Sequence, residues 1–188
     1  MRLVTLQIEG LTPYSQSRAL HSVKNPDEEY DTFDTRIWPE HIHADENDQV
    51  VIPAVAILQG LAKAASYLGK GGDLKKKANA TWAENFRCGL AIARSPELET
   101  KKEARPERCY CHANGQRSSG TRVWRTFPIW DEWKSSVLVH ILDDSIPEDI
   151  FTKVAEAAGL FIGIGRYRPE NGGYLGRFTV KKTTIATV

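Results

Sequence analysis

From Arg2 to Glu9 the chain alternates, with Val4, Leu6 and Ile8 on one side and Leu3, Thr5, Gln7 and Glu9 on the other. A side-chain period of two predicts a half-buried strand, closed by Gly10 and Pro13. Residues 12–48 are polar and acidic with no sustained period, which predicts an excursion holding at most a short helix. Gln49 to Ile52 reads as a short strand, and Pro53 opens a helix where its missing N–H costs nothing. Ile57, Leu58, Leu61, Ala65 and Leu68 give that helix one apolar stripe, and Gly69 ends it.

Further strands are expected at Cys88–Ala93, Arg108–His112 and Thr121–Phe127, with Asn114-Gly115 as a turn signal. Residues 94–107 form a charged loop. Ser136 to Leu142 alternates as a strand. Ser145 with Glu148 three residues on has the form of a capping box, with Pro147 inside the first turn. The helix that follows buries Ile150, Phe151, Val154, Ala155 and Ala158 and ends at Gly159, and a last strand runs from Tyr174 to Thr183. Without its excursions the order is strand, helix, antiparallel strands, helix, strand. This predicts an α+β protein with a ferredoxin-like (RRM-like) βαββαβ core, in a single domain spanning 1–188. The core takes about residues 1–9, 49–69 and 121–188, and the excursions about 10–48 and 70–120.

Composition changes this picture little: 41% hydrophobic and 26% charged residues are ordinary for a globular protein. No apolar run reaches the length of a membrane span, the N-terminus lacks an export signal, and a cytoplasmic protein is expected. Cys88, Cys109 and Cys111 are an odd number, and the last two lie too close to staple the chain, so reduced thiols are expected. Charge is more informative. The net value of +1 hides nine acids in residues 26–48 against Arg36 alone, and seven basic residues in 101–125 against Glu103 and Glu107. Such segregation can steer a polyanion to one face, or bring the acidic run of one copy against the basic run of the next.

The richest local pattern is residues 163–178, where five glycines interleave with Arg166, Arg168, Arg177, Tyr167 and Tyr174. Glycine permits close backbone approach and exposed N–H groups, arginine supplies forks for phosphate, and tyrosine offers a face for a base. A loop of this kind between a helix and a strand points to single-stranded nucleic acid, RNA or ssDNA. Phe178, alternating with Gly176 and Val180, belongs to the core.

In that setting the loop resembles the C-terminal glycine-rich loop of the repeat-associated mysterious protein (RAMP) superfamily, the RNA-binding subunits of CRISPR effector complexes. Ile52-Pro53 leading through Leu58-Gln59-Gly60 is similar to the segment that opens the first helix of their backbone subunits. Ala54 and Val55 depart from that pattern, standing where small or hydroxylated residues are common. The resemblance covers the first strand, the first helix and roughly 136–183. It implies a protein that assembles with itself or with CRISPR-type subunits along RNA, and the reading taken as a whole is of a non-enzymatic protein without a cofactor. It also implies that Gly163, Gly165, Arg166, Arg168, Gly172, Gly173 and Arg177 follow the RNA path, with Lys63 reaching it from the first helix. Relatives carried by phages suggest an inhibitor that inserts into a host complex as an alternative.

Other motifs are weaker. Lys70, Lys75, Lys76 and Lys77 can clamp phosphate as point charges, but no G-x-x-x-x-G-K-[ST] is present. His41, His43, Cys109, Cys111 and His112 are zinc-ligand types without the usual C-x-x-C spacing, so no metal is expected. A metal-independent endoribonuclease would need a general base near a 2′-hydroxyl. His21, close to Tyr14, Arg18 and Lys24, is the candidate for that role, whereas His140 inside a strand reads as structural. Trp130 and Trp133 are expected to wedge the entry of the next strand or to meet a subunit.

Overall fold

The computed structural model describes residues 1–71, 82–100, 103–112 and 120–187. Lys75, Lys76, Lys77 and the Asn114-Gly115 signal lie outside the described residues. Seven strands and four helices occur among those described: β1 Arg2–Gly10, β2 Tyr14–Ser15, α1 Tyr30–Ile37, α2 Ala54–Gly71, α3 Ala83–Cys88, β3 Leu90–Ala91, β4 Arg105–His112, β5 Arg122–Trp130, β6 Lys134–Ile141, α4 Glu148–Ala157 and β7 Phe178–Thr187.

The strands form two antiparallel sheets. The larger has the order β3-β6-β1-β7, and the smaller the order β2-β5-β4. The alternation of β1 determines how the large sheet is covered. Val4, Leu6 and Ile8 face Val137, Val139, Ile57, Leu61, Phe151 and Val154 in one core, so α2 and α4 cover the same face. Burying Phe151 or Val154 contributes about 1.5–3 kcal/mol each, enough to hold these amphipathic helices in place. Gln7, Ser136 and Leu138 lie on the opposite, exposed face.

Several local expectations change. The segment at 49–52 is not a strand: Val50 and Val51 make isolated bridges to Ala44 and Glu97. Ser145 does not cap α4. Pro147 occupies the N-cap position with no side-chain bond, and the Ser145 N–H donates to Asp143 Oδ1 at 2.9 Å. Gly159 does not stop the helix either. A π-turn over Ala158–Ile162 follows α4 and ends at Gly163. The strand expected at 121–127 is β5, and it belongs to the small sheet, while Leu90–Ala91 pairs with β6 in the large one. The last strand starts at Phe178 rather than Tyr174.

Tryptophan anchors the junction of the sheets. Tyr14 lies 5.9 Å from Trp130 and 5.2 Å from Trp133, ring to ring, and all three are buried. Trp133 Nε1–H donates to the Thr12 carbonyl at 2.9 Å. These tryptophans therefore anchor β2 from inside, and burial rules out the subunit contact considered for them.

Part of the charge segregation is paired within one chain. Asp31 on α1 pairs with Arg108 on β4, and Asp34 pairs with Arg125 on β5 at 3.6 Å. Phe33, Asp34 and Ile37 are the buried residues of α1, which packs on the small sheet. Two acids of the 26–48 run are thus paired with two basic residues of the same chain.

Candidate nucleic-acid interface

β2 is only two residues long, but it carries the glycine-rich loop. Tyr14 and Ser15 pair with Trp130 and Ile129 of β5 on one side. On the other side, the Arg166 N–H donates to the Ser15 carbonyl at 2.8 Å and the Gly176 N–H to the Pro13 carbonyl at 2.7 Å. Gln16 fastens this junction from beneath: its amide donates to the Val51 carbonyl at 2.8 Å and accepts from the His43 N–H at 2.7 Å. The loop therefore extends the small sheet and stands opposite the β4–β5 hairpin.

Between loop and hairpin lies an open cleft of about 1260 Å³. Arg166, Tyr167, Arg168 and Tyr174 line it from the loop, and Cys109, Tyr110, Arg122, Arg125 and Phe127 from the hairpin. Four arginines against Glu107 make the lining cationic. Tyr167 and Tyr174, both about half exposed, meet edge to face with centroids 6.0 Å apart.

Arg166 is the central cation. Its guanidinium sits 3.7 Å from the centroid of the Phe127 ring and donates to Cys109 Sγ at 2.7 Å. Burial pushes the Cys109 thiol up to about 11, against the opposing pull of Arg166, so the sulfur is protonated at neutral pH. Aromatic face and neutral sulfur orient the guanidinium without cancelling its charge.

Arg168 is held differently. Its Nε–H donates to Glu170 Oε2 at 2.9 Å, and Lys63 Nζ reaches Glu170 Oε1 at 2.6 Å. Partial burial opposes ionisation of Glu170, but the bonds from Lys63 and Arg168 outweigh it and hold its carboxyl below the usual glutamate value. One carboxylate therefore ties α2 to the loop.

The expected site residues divide accordingly. Gly165, Arg166, Arg168 and Gly172 line the cleft. Lys63 and Lys70 lie on α2, and Arg177 points away from the cleft, its Nε–H donating to the Leu160 carbonyl at 3.0 Å. Gly163 is buried at the end of the π-turn, and Gly173 packs beneath the Tyr167 carbonyl. The glycines were expected to open N–H groups to a ligand. Those of Gly163, Gly172, Gly173 and Gly176 instead donate to Ala158, Pro169, Arg168 and Pro13 carbonyls. Their role is close packing: a Cβ at Gly165 would stand 2.5 Å from the Ser15 carbonyl oxygen, at a φ of +78°. The charged groups that line the cleft are side chains, Arg122, Arg125, Arg166 and Arg168 among them.

His21 is exposed, its backbone N–H donating to Glu40 at 3.3 Å, and it does not line the cleft. His41 is buried against Phe127, ring centroids 4.6 Å apart, with Nδ1 2.8 Å from the Arg18 carbonyl oxygen. Cys109, Cys111 and His112 line the cleft from β4, and among the described residues no three His, Cys, Asp or Glu side chains gather as metal ligands. No helix among the described residues is long and apolar enough to cross a membrane. Sequence reasoning missed the hairpin wall of Cys109, Tyr110, Arg125 and Phe127. The alternation in β4 and β5 was the available signal, but strand pairing was needed to aim it.

No family model and no curated protein sequence matches the chain. Among solved structures it resembles a chain of the Type III-B Cmr-beta bound to cognate target RNA, determined by cryo-EM, with a TM-score of 0.57 at 16% identity. The similarity covers 99% of this chain and 61% of that one, so the protein spans about three-fifths of its neighbour's length. At this identity the likeness concerns the fold.

Proposed function

We propose that this protein binds single-stranded RNA in the cleft between the glycine-rich loop and the β4–β5 hairpin, as a RAMP-like member of a CRISPR-type assembly. The order β3-β6-β1-β7, with α2 and α4 on one face, fits the ferredoxin-like plan of that superfamily. The observation that carries the reading is Arg166, held on Phe127 at the centre of a cleft lined by four arginines and by aromatic rings. Cations beside stacking faces suit an unpaired strand, whose bases can splay out and whose phosphates stay accessible. The Cmr-beta neighbour, bound to target RNA, supports the same ligand class.

A filter-binding titration of the wild-type protein with an unstructured oligouridylate tests this. Affinity is expected to fall as salt rises, by about 0.7 in the log–log slope for each phosphate neutralised. Absence of binding at low salt, or a flat slope, would overturn the proposal. Sizing the protein before and after ribonuclease separates RNA-dependent assembly with itself from a single copy.

Glu170 makes a sharper prediction. It occupies Lys63 and Arg168 in the free protein, so RNA phosphate must compete with its carboxylate. Glu170→Gln keeps the shape and removes the competing charge. RNA affinity at low salt is expected to rise about three- to tenfold with a steeper salt slope, since exposed ion pairs of this kind are worth ~1 kcal/mol or less. Weaker binding by the same titration would mean that Glu170 only braces the loop.

A further inference from the structure

A second aromatic surface lies on the α2 side of Glu170. Tyr67 and Phe161 are 51% and 48% exposed, with ring centroids 5.2 Å apart, and Leu160 beside them is 41% exposed. The π-turn after α4 creates this display. Ile162 takes the buried position, and the Gly163 N–H closes on the Ala158 carbonyl at 2.8 Å, which leaves Leu160 and Phe161 outside. π-turns of this kind recur at functional sites. Adjacent large apolar side chains left in water call for an occupant.

The charges around the rings select that occupant. Lys63 precedes Tyr67 by one helical turn, Lys70 lies in the last turn of α2, and Arg177 is anchored to the Leu160 carbonyl at 3.0 Å. Among the described residues the carboxylate bonded into this group is Glu170, which also binds Arg168 on the rim of the cleft. Cations and aromatic faces thus continue from the cleft across Glu170 onto α2.

We propose that Tyr67 and Phe161 form a stacking platform for nucleobases of the strand after it leaves the cleft, with Lys63, Lys70 and Arg177 taking its phosphates. This rests on the reading of the cleft as an RNA site. The platform supplies stacking without base-edge hydrogen bonds, so it accepts any base.

The test uses the full chain and two oligouridylates, one of about 4 nucleotides that the cleft alone can hold and one of about 12 that reaches beyond it. In the Tyr67→Ser/Phe161→Ser variant, affinity for the longer RNA is expected to fall about tenfold while the shorter one binds as before. The salt slope should be unchanged, because no cation is removed. Tyr67→Phe/Phe161→Tyr keeps both rings and should restore the longer RNA's affinity, which excludes a folding defect. Equal loss for both lengths, or no loss for either, overturns the platform while leaving the cleft intact. If the serine variant binds normally but loses self-association on sizing, the surface is a contact between copies and the proposal fails. Wild-type protein that binds neither length overturns the cleft reading as well.

Discussion

Gly176→Ala is expected to lower the melting temperature by about 4–15 °C and to remove most RNA binding with it. Gly176 has a φ of +72°, and a Cβ there would stand 1.8 Å from the Ile164 carbonyl oxygen. Flexible side chains can move aside, but this contact is with backbone. The same peptide region is bonded on two sides: the Gly176 N–H donates to Pro13, and the Gly176 carbonyl accepts from the Ile164 N–H at 3.0 Å. Relieving the clash would pull Ile164 and Leu175, both buried, away from the core. Left-handed strain and overpacking together cost about 2–4 kcal/mol. The loop is both the support of Arg166 and one wall of the cleft, so affinity should fall with stability. Gly120→Ala, where an added Cβ meets nothing within 4 Å, is the matched control and should melt as the wild type does. Differential scanning fluorimetry compares the three. An unchanged melting point for Gly176→Ala would mean that the loop does not close on Ile164.

What the sequence made legible was local. The alternation of β1 and the stripes of α2 and α4 report directly which side of each element is buried, and the core follows from them. The glycine-rich loop was also legible as a special segment, but the purpose of its glycines was not. They pack against carbonyls of Ser15, Ile164 and Tyr167, two of them in the loop itself and one far away in the chain. Long-range pairing accounts for the other differences. Nothing near Asp31 or Asp34 announces Arg108 or Arg125 as partners. The cleft's second wall depended on which strand joined which sheet. β5 pairs with β4 and with the two-residue β2, whose Tyr14 packs on Trp130 and Trp133, and the pattern within β5 names neither partner. The failed capping box at Ser145 has a similar cause. Asp143 captures the Ser145 N–H, and Asn85 of α3 reaches both side chains, so tertiary contacts replace the local cap.

Arg166→Ala with Arg168→Ala is expected to weaken RNA binding about ten- to a hundredfold near 0.1 M salt and to reduce the log–log salt slope by about 1.4, two phosphate contacts' worth. The two residues should not contribute equally. Arg168 already satisfies Glu170, so its gain from a phosphate is offset by the pair it gives up. Arg166 touches no carboxylate among the described residues. Phe127 and the protonated Cys109 sulfur hold it in place while its charge remains uncompensated. Arg166→Ala alone should therefore account for most of the lost affinity, and Arg168→Ala for the smaller part. Arg166→Lys separates charge from geometry: it keeps the counterion released by one phosphate but loses the planar fork that lies on Phe127. Its salt slope should stay near the wild-type value while affinity drops severalfold. If the double variant binds with unchanged affinity and slope in the filter assay, the strand does not run through this cleft. If Arg166→Lys matches Arg166→Ala in both readouts, the guanidinium acts by bracing Phe127 and Cys109 rather than by meeting phosphate.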